Sequence, residues 1–163
     1  MIRLRNRQRL RRKEVADLAA ALEAHFGCTV FTPEDPIDLA EAGAHRVVVA
    51  DGKAVALLIG DRPTLTVRGA ILYRPTRRFV TVDMGAVKFV YNGADIMAPG
   101  IVEADAAIAP GDFVWVRDER NRQPLAIGEA LTTGAEMALA EKGKSVRSIH
   151  HVGDDIWKLD EPA

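Results

Sequence analysis

The stretch Asp83-Met84-Gly85-Ala86-Val87-Lys88-Phe89-Val90-Tyr91-Asn92-Gly93-Ala94-Asp95-Ile96-Met97-Ala98-Pro99-Gly100 decides how the chain is read. A β-branched run, Phe79 to Val82, leads into it. Asp83 suits an N-cap, because a carboxylate accepts from the free N–H groups at the positive end of a helix. Ala86, Val87, Phe89 and Val90 then give a short helix an apolar face, while Lys88 and Asn92 fall elsewhere. Gly93 fits the position after the helix, where glycine takes the left-handed conformation without strain. A helix of about one and a half turns, with glycines on both sides, lets another backbone come close.

Toward the N-terminus, Arg74-Pro75-Thr76-Arg77-Arg78 is proline-broken and basic, and divides the chain into domains at 1–78 and 79–163. Thr64 to Leu72 is a strand by residue type. Arg46 to Ala50 and Lys53 to Ile59 flank Asp51-Gly52, the pair favoured in a type I′ hairpin turn. Ile37 to Ala42 reads as a short helical turn closed by Gly43, and Thr29 to Phe31 as a strand. Val15, Leu18, Ala19, Leu22 and Phe26 recur at helical spacing, and Gly27 ends the run. His25, near that end, reads as a surface residue. Arg3, Arg5, Arg7, Arg9 and Arg11 alternate, so a strand over Ile2 to Gln8 puts them on one face.

Toward the C-terminus, Ile101 to Ala107 is irregular or a short strand, and Pro110-Gly111 is a turn. Asp112 to Arg117 is a strand with Phe113 and Trp115 on one face and Val114 and Val116 on the other. Leu125 to Ala130 follows, with Gly128 as a bulge or close backbone approach. Val146 to His151 is a strand between the turns at Lys142-Gly143-Lys144 and Gly153-Asp154-Asp155. Short strands at even spacing with frequent turn signals indicate a small barrel. The fold class is α+β, an N-terminal α/β domain before a small β-barrel with short helices.

The net charge is −1, but it is unevenly placed. Residues 1 to 13 carry seven bases and no acid, and residues 14 to 61 carry nine acids and two bases. Residues 62 to 88 carry six bases against Asp83 alone. Two basic islands in an acidic chain suit local phosphate contacts, and charge alone leaves scattered solvated arginines as an equal reading. No apolar run approaches the roughly 20 residues of a membrane helix, and the basic N-terminus lacks the apolar stretch of a secretory signal. The single Cys28 favours a reducing cytoplasm and reads as a small buried apolar residue.

Catalytic groupings are not legible. His150 and His151, adjacent on a strand, point to opposite faces and do not readily share a metal. Asp154 and Asp155 flank a turn, where Asp bonds to nearby backbone. There is no Walker loop, no GxGxxG and no Ser-His-Asp grouping, so no cofactor, metal or catalytic residue is assigned. A site for unpaired RNA needs backbone donors, small residues and a few planar or basic groups. Gly93 to Gly100 supplies the first two. Met97, Pro99 and Tyr91 could meet bases, and Lys88, Arg77 and Arg78 could hold phosphates. Spacing alone favours a plainer alternative, with Met97 and Tyr91 in the core and the glycines serving tight packing.

GAVKFVYNGADIMAPG (residues 85–100) and EKGKSVRSIHHVGDDIWKL (residues 141–159) resemble the PUA domain, the small barrel named for pseudouridine synthases and archaeosine transglycosylases. The whole chain resembles the malignant-T-cell-amplified-sequence family and its stand-alone archaeal relatives, in which a pre-PUA domain precedes the barrel. The resemblance is good from Phe79 to Leu159. It is weaker from Met1 to Arg78, carried by RNRQRLRRKEV (residues 5–15) and DRPTL (residues 61–65), and it allows helical content around Leu65. It implies a cytoplasmic, non-enzymatic RNA-binding protein acting in translation, on rRNA of the small ribosomal subunit or on the tRNA acceptor end, in initiation or recycling. It also implies a separate partner with an initiation-factor-one-like domain. The RNA site it implies lies at Lys88, Asn92, Gly93, Ala94, Met97, Ala98, Pro99 and Gly100, beside Arg77 and Arg78. An RNA-targeting subunit of a tRNA-modifying enzyme, such as an archaeosine transglycosylase, and a free-standing enzyme with a dispersed site are the alternatives.

Overall fold

The computed structural model describes residues 2–160. The first half is an antiparallel sheet of β1 (Leu4–Arg9), β2 (Ile37–Ala42), β3 (His45–Ala50), β4 (Lys53–Ile59) and β5 (Arg62–Leu65), in that spatial order. Helix α1 (Arg12–Phe26) connects β1 to β2, and α2 (Val67–Tyr73) follows β5. The second half begins with β6 (Phe79–Val82), α3 (Val87–Tyr91), β7 (Ile96–Met97) and a 3-10 turn, Ala98–Gly100. It continues through β8 (Ile101–Ala104), β9 (Phe113–Asp118), β10 (Pro124–Ala130), α4 (Gly134–Leu139), β11 (Lys144–His151) and α5 (Asp155–Lys158). Its strands form a near-barrel sheet in the order β7-β11-β10-β9-β6-β8, antiparallel except for the parallel pair β6–β9. The α+β class read from the sequence is the class observed.

Local chemistry explains most elements. Val15, Ala19, Leu22 and Phe26 are the buried stripe of α1, and Gly27 ends it at φ 64. Asp51 and Gly52 both have positive φ, as a type I′ turn requires. Thr66 caps α2 through its Oγ1, which accepts from the Gly69 N–H at 2.9 Å and donates to the Ala54 carbonyl at 2.7 Å. The stretch from Thr64 to Leu72, a strand by residue type, is therefore strand only at Thr64 and Leu65 and helix from Val67 onward.

Four expectations are corrected. Ile37 to Ala42 is a strand, because pairing with both β1 and β3 overrides the helix-favouring Leu, Ala and Glu. Thr29 to Phe31 is not a strand; the Val30 N–H is taken by Glu23 Oε2 at 2.9 Å. In β1, Asn6 has φ 50 and the register slips between Arg5 and Gln8, so the arginines do not share one face. Arg7 and Arg9 instead converge on Asp38, each at 2.6 Å. His25 is half-buried rather than a surface residue: its Nε2 lies 2.7 Å from the Phe113 carbonyl, joining α1 to β9.

Strand β9 is buried on both faces. Phe113 and Trp115 pack with Val15, Leu22 and Phe26 of α1, while Val114 and Val116 pack inside the near-barrel with Val80, Val90 and Met137. The two-faced reading of this strand is borne out, and it joins the two sheets through one shared core.

Burial holds the His25 imidazole below its ordinary value of 6.5, with the Phe113 carbonyl opposing and Arg78 adding to the shift. A depressed folded value means that this stabilisation is complete above the unfolded value and is lost as pH falls through the folded one. Urea midpoints of the native chain should therefore decline below the ordinary imidazole range more steeply than those of His25→Gln. Parallel curves would assign the titration to another group.

Candidate nucleic-acid interface

The site is built on α3 and the loop after it. The Asp83 N–H donates to the Gly100 carbonyl at 2.9 Å, tying the loop's entry to its exit. Asp83 Oδ1 accepts from the Ala86 N–H at 2.9 Å. This caps a turn ahead of α3; the helix proper has Ala86 at its N-cap, one turn later than expected. Val90 is buried, and Ala86 and Val87 lie against the near-barrel core. A helix of five residues has room for one inward stripe, so Phe89 and Tyr91 face outward, 56 % and 42 % exposed. Gly93 has φ 83, and a Cβ there would lie 3.0 Å from His151 Nε2. Across the loop, Met97 pairs with Lys144 and Ile96 with Val146.

Between α3 and the strand–turn segment lies an open, mostly apolar cleft of about 470 Å³, lined by Asp83, Gly85, Phe89, Ala94, Met97 and Pro99, among others. Met97 is 46 % exposed, so the alternative that places Met97 and Tyr91 in the core does not hold. Lys88 Nζ stands 5.1 Å from the centre of the Phe89 ring. At the opposite rim, Lys144 Nζ is 3.2 Å from Asp95 Oδ2. The Ser148 N–H donates to the other Asp95 oxygen at 2.9 Å and is the main reason that carboxyl sits below its ordinary range, with Lys144 assisting against burial. The cleft therefore offers apolar walls, with ammonium groups and carboxylates at its edges.

The expected site residues separate into three groups. Ala94, Met97, Pro99 and Gly100 line the cleft, and Lys88 and Asn92 are exposed on the helix beside it. Ala98 is buried and Gly93 is pressed against His151, so they shape the loop from behind. Arg77 and Arg78 are not brought to the cleft. Arg77 Nη1 donates to the Ala24 carbonyl at 3.2 Å, and Arg78 donates to Asp112 at 3.2 Å and to the His25 carbonyl at 3.3 Å. Both hold the end of α1 against the second half. The loop also offers fewer free donors than expected, because the N–H groups of Gly93, Ala94 and Ala98 are taken by Val90, Phe89 and Gly143. Phe89, Gly85, Asp83 and Asp95 are among the lining residues that the sequence does not single out for the site. The sequence places Phe89 on the inward face of the helix, and only the brevity of α3 signals otherwise.

The remaining candidates have structural roles. The Val67 N–H donates to His150 Nε2 at 3.1 Å, and Nδ1 lies 2.9 Å from both oxygens of Asp154. Burial alone would raise the Asp154 carboxyl; His150 and the N–H groups of Trp157 and His151 outweigh it and hold it low. Burial, aided by Glu23, raises the Cys28 thiol to about 11, far from a reactive thiolate. Among the described residues, no three His, Cys, Asp or Glu side chains gather as a metal site.

Residues 78–152 match the family model of the PUA domain. The chain is 35 % identical over 158 residues to an uncharacterized protein of Methanocaldococcus jannaschii, covering 96 % of this chain and 98 % of that one. It is 42 % identical over 86 residues to translation machinery-associated protein 20 of Saccharomyces cerevisiae, which is 49 % of this chain and 48 % of the yeast protein. The crystal structure of a hypothetical protein from Pyrococcus horikoshii is similar at a TM-score of 0.84 and 34 % identity, over 95 % of this chain and 99 % of that one. With its fold, its glycine-flanked helix and these relatives, the chain belongs to the PUA-domain proteins closely related to translation machinery-associated protein 20 and the malignant T-cell-amplified sequence proteins, a group with archaeal homologues.

Proposed function

We propose that the chain is a non-enzymatic RNA-binding protein of the translation machinery. In this reading the cleft beside α3 accepts one or two unpaired nucleotides. The observation that carries it is an open apolar cleft walled by exposed Phe89 and Met97, with Lys88 at its edge. Base faces stack on such side chains whatever the sequence, and ammonium groups hold the phosphates between them. The similarity to a translation machinery-associated protein supports placing this RNA on the ribosome. The finer reading is rRNA of the small subunit or the acceptor end of tRNA, in initiation or recycling, with a separate initiation-factor-one-like protein as partner.

Binding to intact tRNA and to tRNA trimmed of its CCA end tests this directly. Weaker binding after trimming supports the acceptor end, and equal binding moves the site to rRNA or a duplex. Lys88→Glu is expected to weaken binding and to make it less salt-dependent while leaving the thermal midpoint in place, because the side chain is exposed. Unchanged affinity would remove Lys88 from the site. Co-purification with a tRNA-modifying enzyme rather than with ribosomal subunits would favour the targeting-subunit alternative.

A further inference from the structure

A second opening, of about 330 Å³, lies at the seam between the halves, where Arg74, Pro75, Trp115, Arg122, Gln123 and Pro124 meet. Its two arginines share an uncommon backbone: φ is 53 at Arg74 and 54 at Arg122. Arg74 closes α2, donating its N–H to the Ala70 carbonyl at 3.1 Å. Arg122 closes the turn after β9, donating its N–H to the Asp118 carbonyl at 3.1 Å. These are positions for glycine, and Gly27 fills the equivalent one after α1. A residue with a Cβ is disfavoured there by roughly 1 kcal/mol.

A third left-handed arginine gives the contrast. Arg78, at φ 61, spends its guanidinium inside the protein, on Asp112 and the His25 carbonyl. The guanidinium of Arg74 has no hydrogen-bond or ion-pair partner among the described residues. The carboxylate nearest Arg122, that of Glu103, is 3.8 Å away and already accepts from Arg117 at 3.0 Å. Two left-handed arginines thus border one opening, Arg74 without a partner among the described residues and Arg122 with only a long ion pair to a shared carboxylate.

We propose that Arg74 and Arg122 form a phosphate-binding site at the seam, separate from the cleft beside α3. The planar fork of arginine matches phosphate oxygens in pairs. Pro75, Trp115 and Pro124 form a nearly buried floor, so the exposed Arg74 and Arg122 are the groups that meet a phosphate at this opening. A phosphodiester of bound RNA and a free nucleotide share this chemistry. The first source rests on the RNA reading, and the second stands without it.

The test is Arg74→Gly/Arg122→Gly in the full chain, beside Lys88→Glu, with tRNA and AMP as probes. Glycine relieves both backbones, so the thermal midpoint should hold or rise. Affinity for tRNA should fall about tenfold or more. The slope of log K against log salt should become shallower by roughly 1.4, the loss of two phosphate contacts to a single strand. Loss of AMP binding with tRNA affinity intact supports the site and makes free nucleotide its source. A midpoint lowered by several degrees would make the arginines structural and overturn the proposal. So would tRNA affinity and slope unchanged in a protein that also ignores AMP. If Lys88→Glu still weakens tRNA binding in that case, only the seam site fails. If the arginine pair matters and Lys88 does not, the cleft loses its role and the seam keeps its own.

Discussion

Trp115→Ala is expected to lower stability by roughly 3–5 kcal/mol while unfolding remains one transition. The indole is 4 % exposed and packs with Phe113 and Ile127 of the second half and with Leu22 and Phe26 of α1. Its Nε1–H donates to the Arg77 carbonyl at 2.9 Å, fixing the connection between the halves. The Arg117 guanidinium stands 5.3 Å from the same ring. Truncation opens a cavity at the place where the two sheets share a core, so neither half is spared. The variant keeps Trp157 as its one tryptophan. Trp157 lies on α5 of the second half, with the Arg68 guanidinium of α2 3.7 Å from its ring, so its fluorescence reports the contact between the halves. Denaturant curves from that fluorescence and from backbone circular dichroism should coincide. Separate midpoints would establish domains at 1–78 and 79–163 that unfold independently, despite the shared core.

Legibility followed the range of the forces involved. Helix α1 and the Asp51-Gly52 hairpin rest on spacing and turn chemistry within about one window of sequence, and both were readable. Strand β9 was readable down to its faces because Phe113-Val114-Trp115-Val116 alternates two apolar surfaces, each with its own core. Ile37 to Ala42 reads as helical because its Leu, Ala and Glu favour helix, and its strand state depends on β1, which lies across α1 in sequence, as well as on the tight hairpin to β3 through Gly43-Ala44. Helix α4 was passed over although Thr133 and Glu136 spell a capping box, with Thr133 Oγ1 accepting from the Glu136 N–H at 3.1 Å. In the site, the loop was legible from its glycines and its resemblance to a known family, but the destinations of long basic side chains were not. Arg77 and Arg78 read as free cations. Nothing local reveals that the end of α1 and Asp112 lie within their reach.

Phe89→Ala combined with Met97→Ala is expected to weaken RNA binding by roughly 5- to 150-fold, the range for losing one stacked base, without unfolding the chain. Both side chains line the cleft and are about half exposed, so little core packing is lost with them. Because neither carries charge, the salt slope should stay where it was while affinity falls. Lys88→Glu should behave in the opposite sense, flattening the slope. This division separates stacking from phosphate anchoring at one site. Tyr91→Ala, 42 % exposed but absent from the cleft wall, serves as the matched control and should leave affinity unchanged. If the double variant binds RNA as tightly as the native chain, with its thermal midpoint also unchanged, then the cleft is not where the RNA lies. The exposed ring beside Lys88 would then need another explanation.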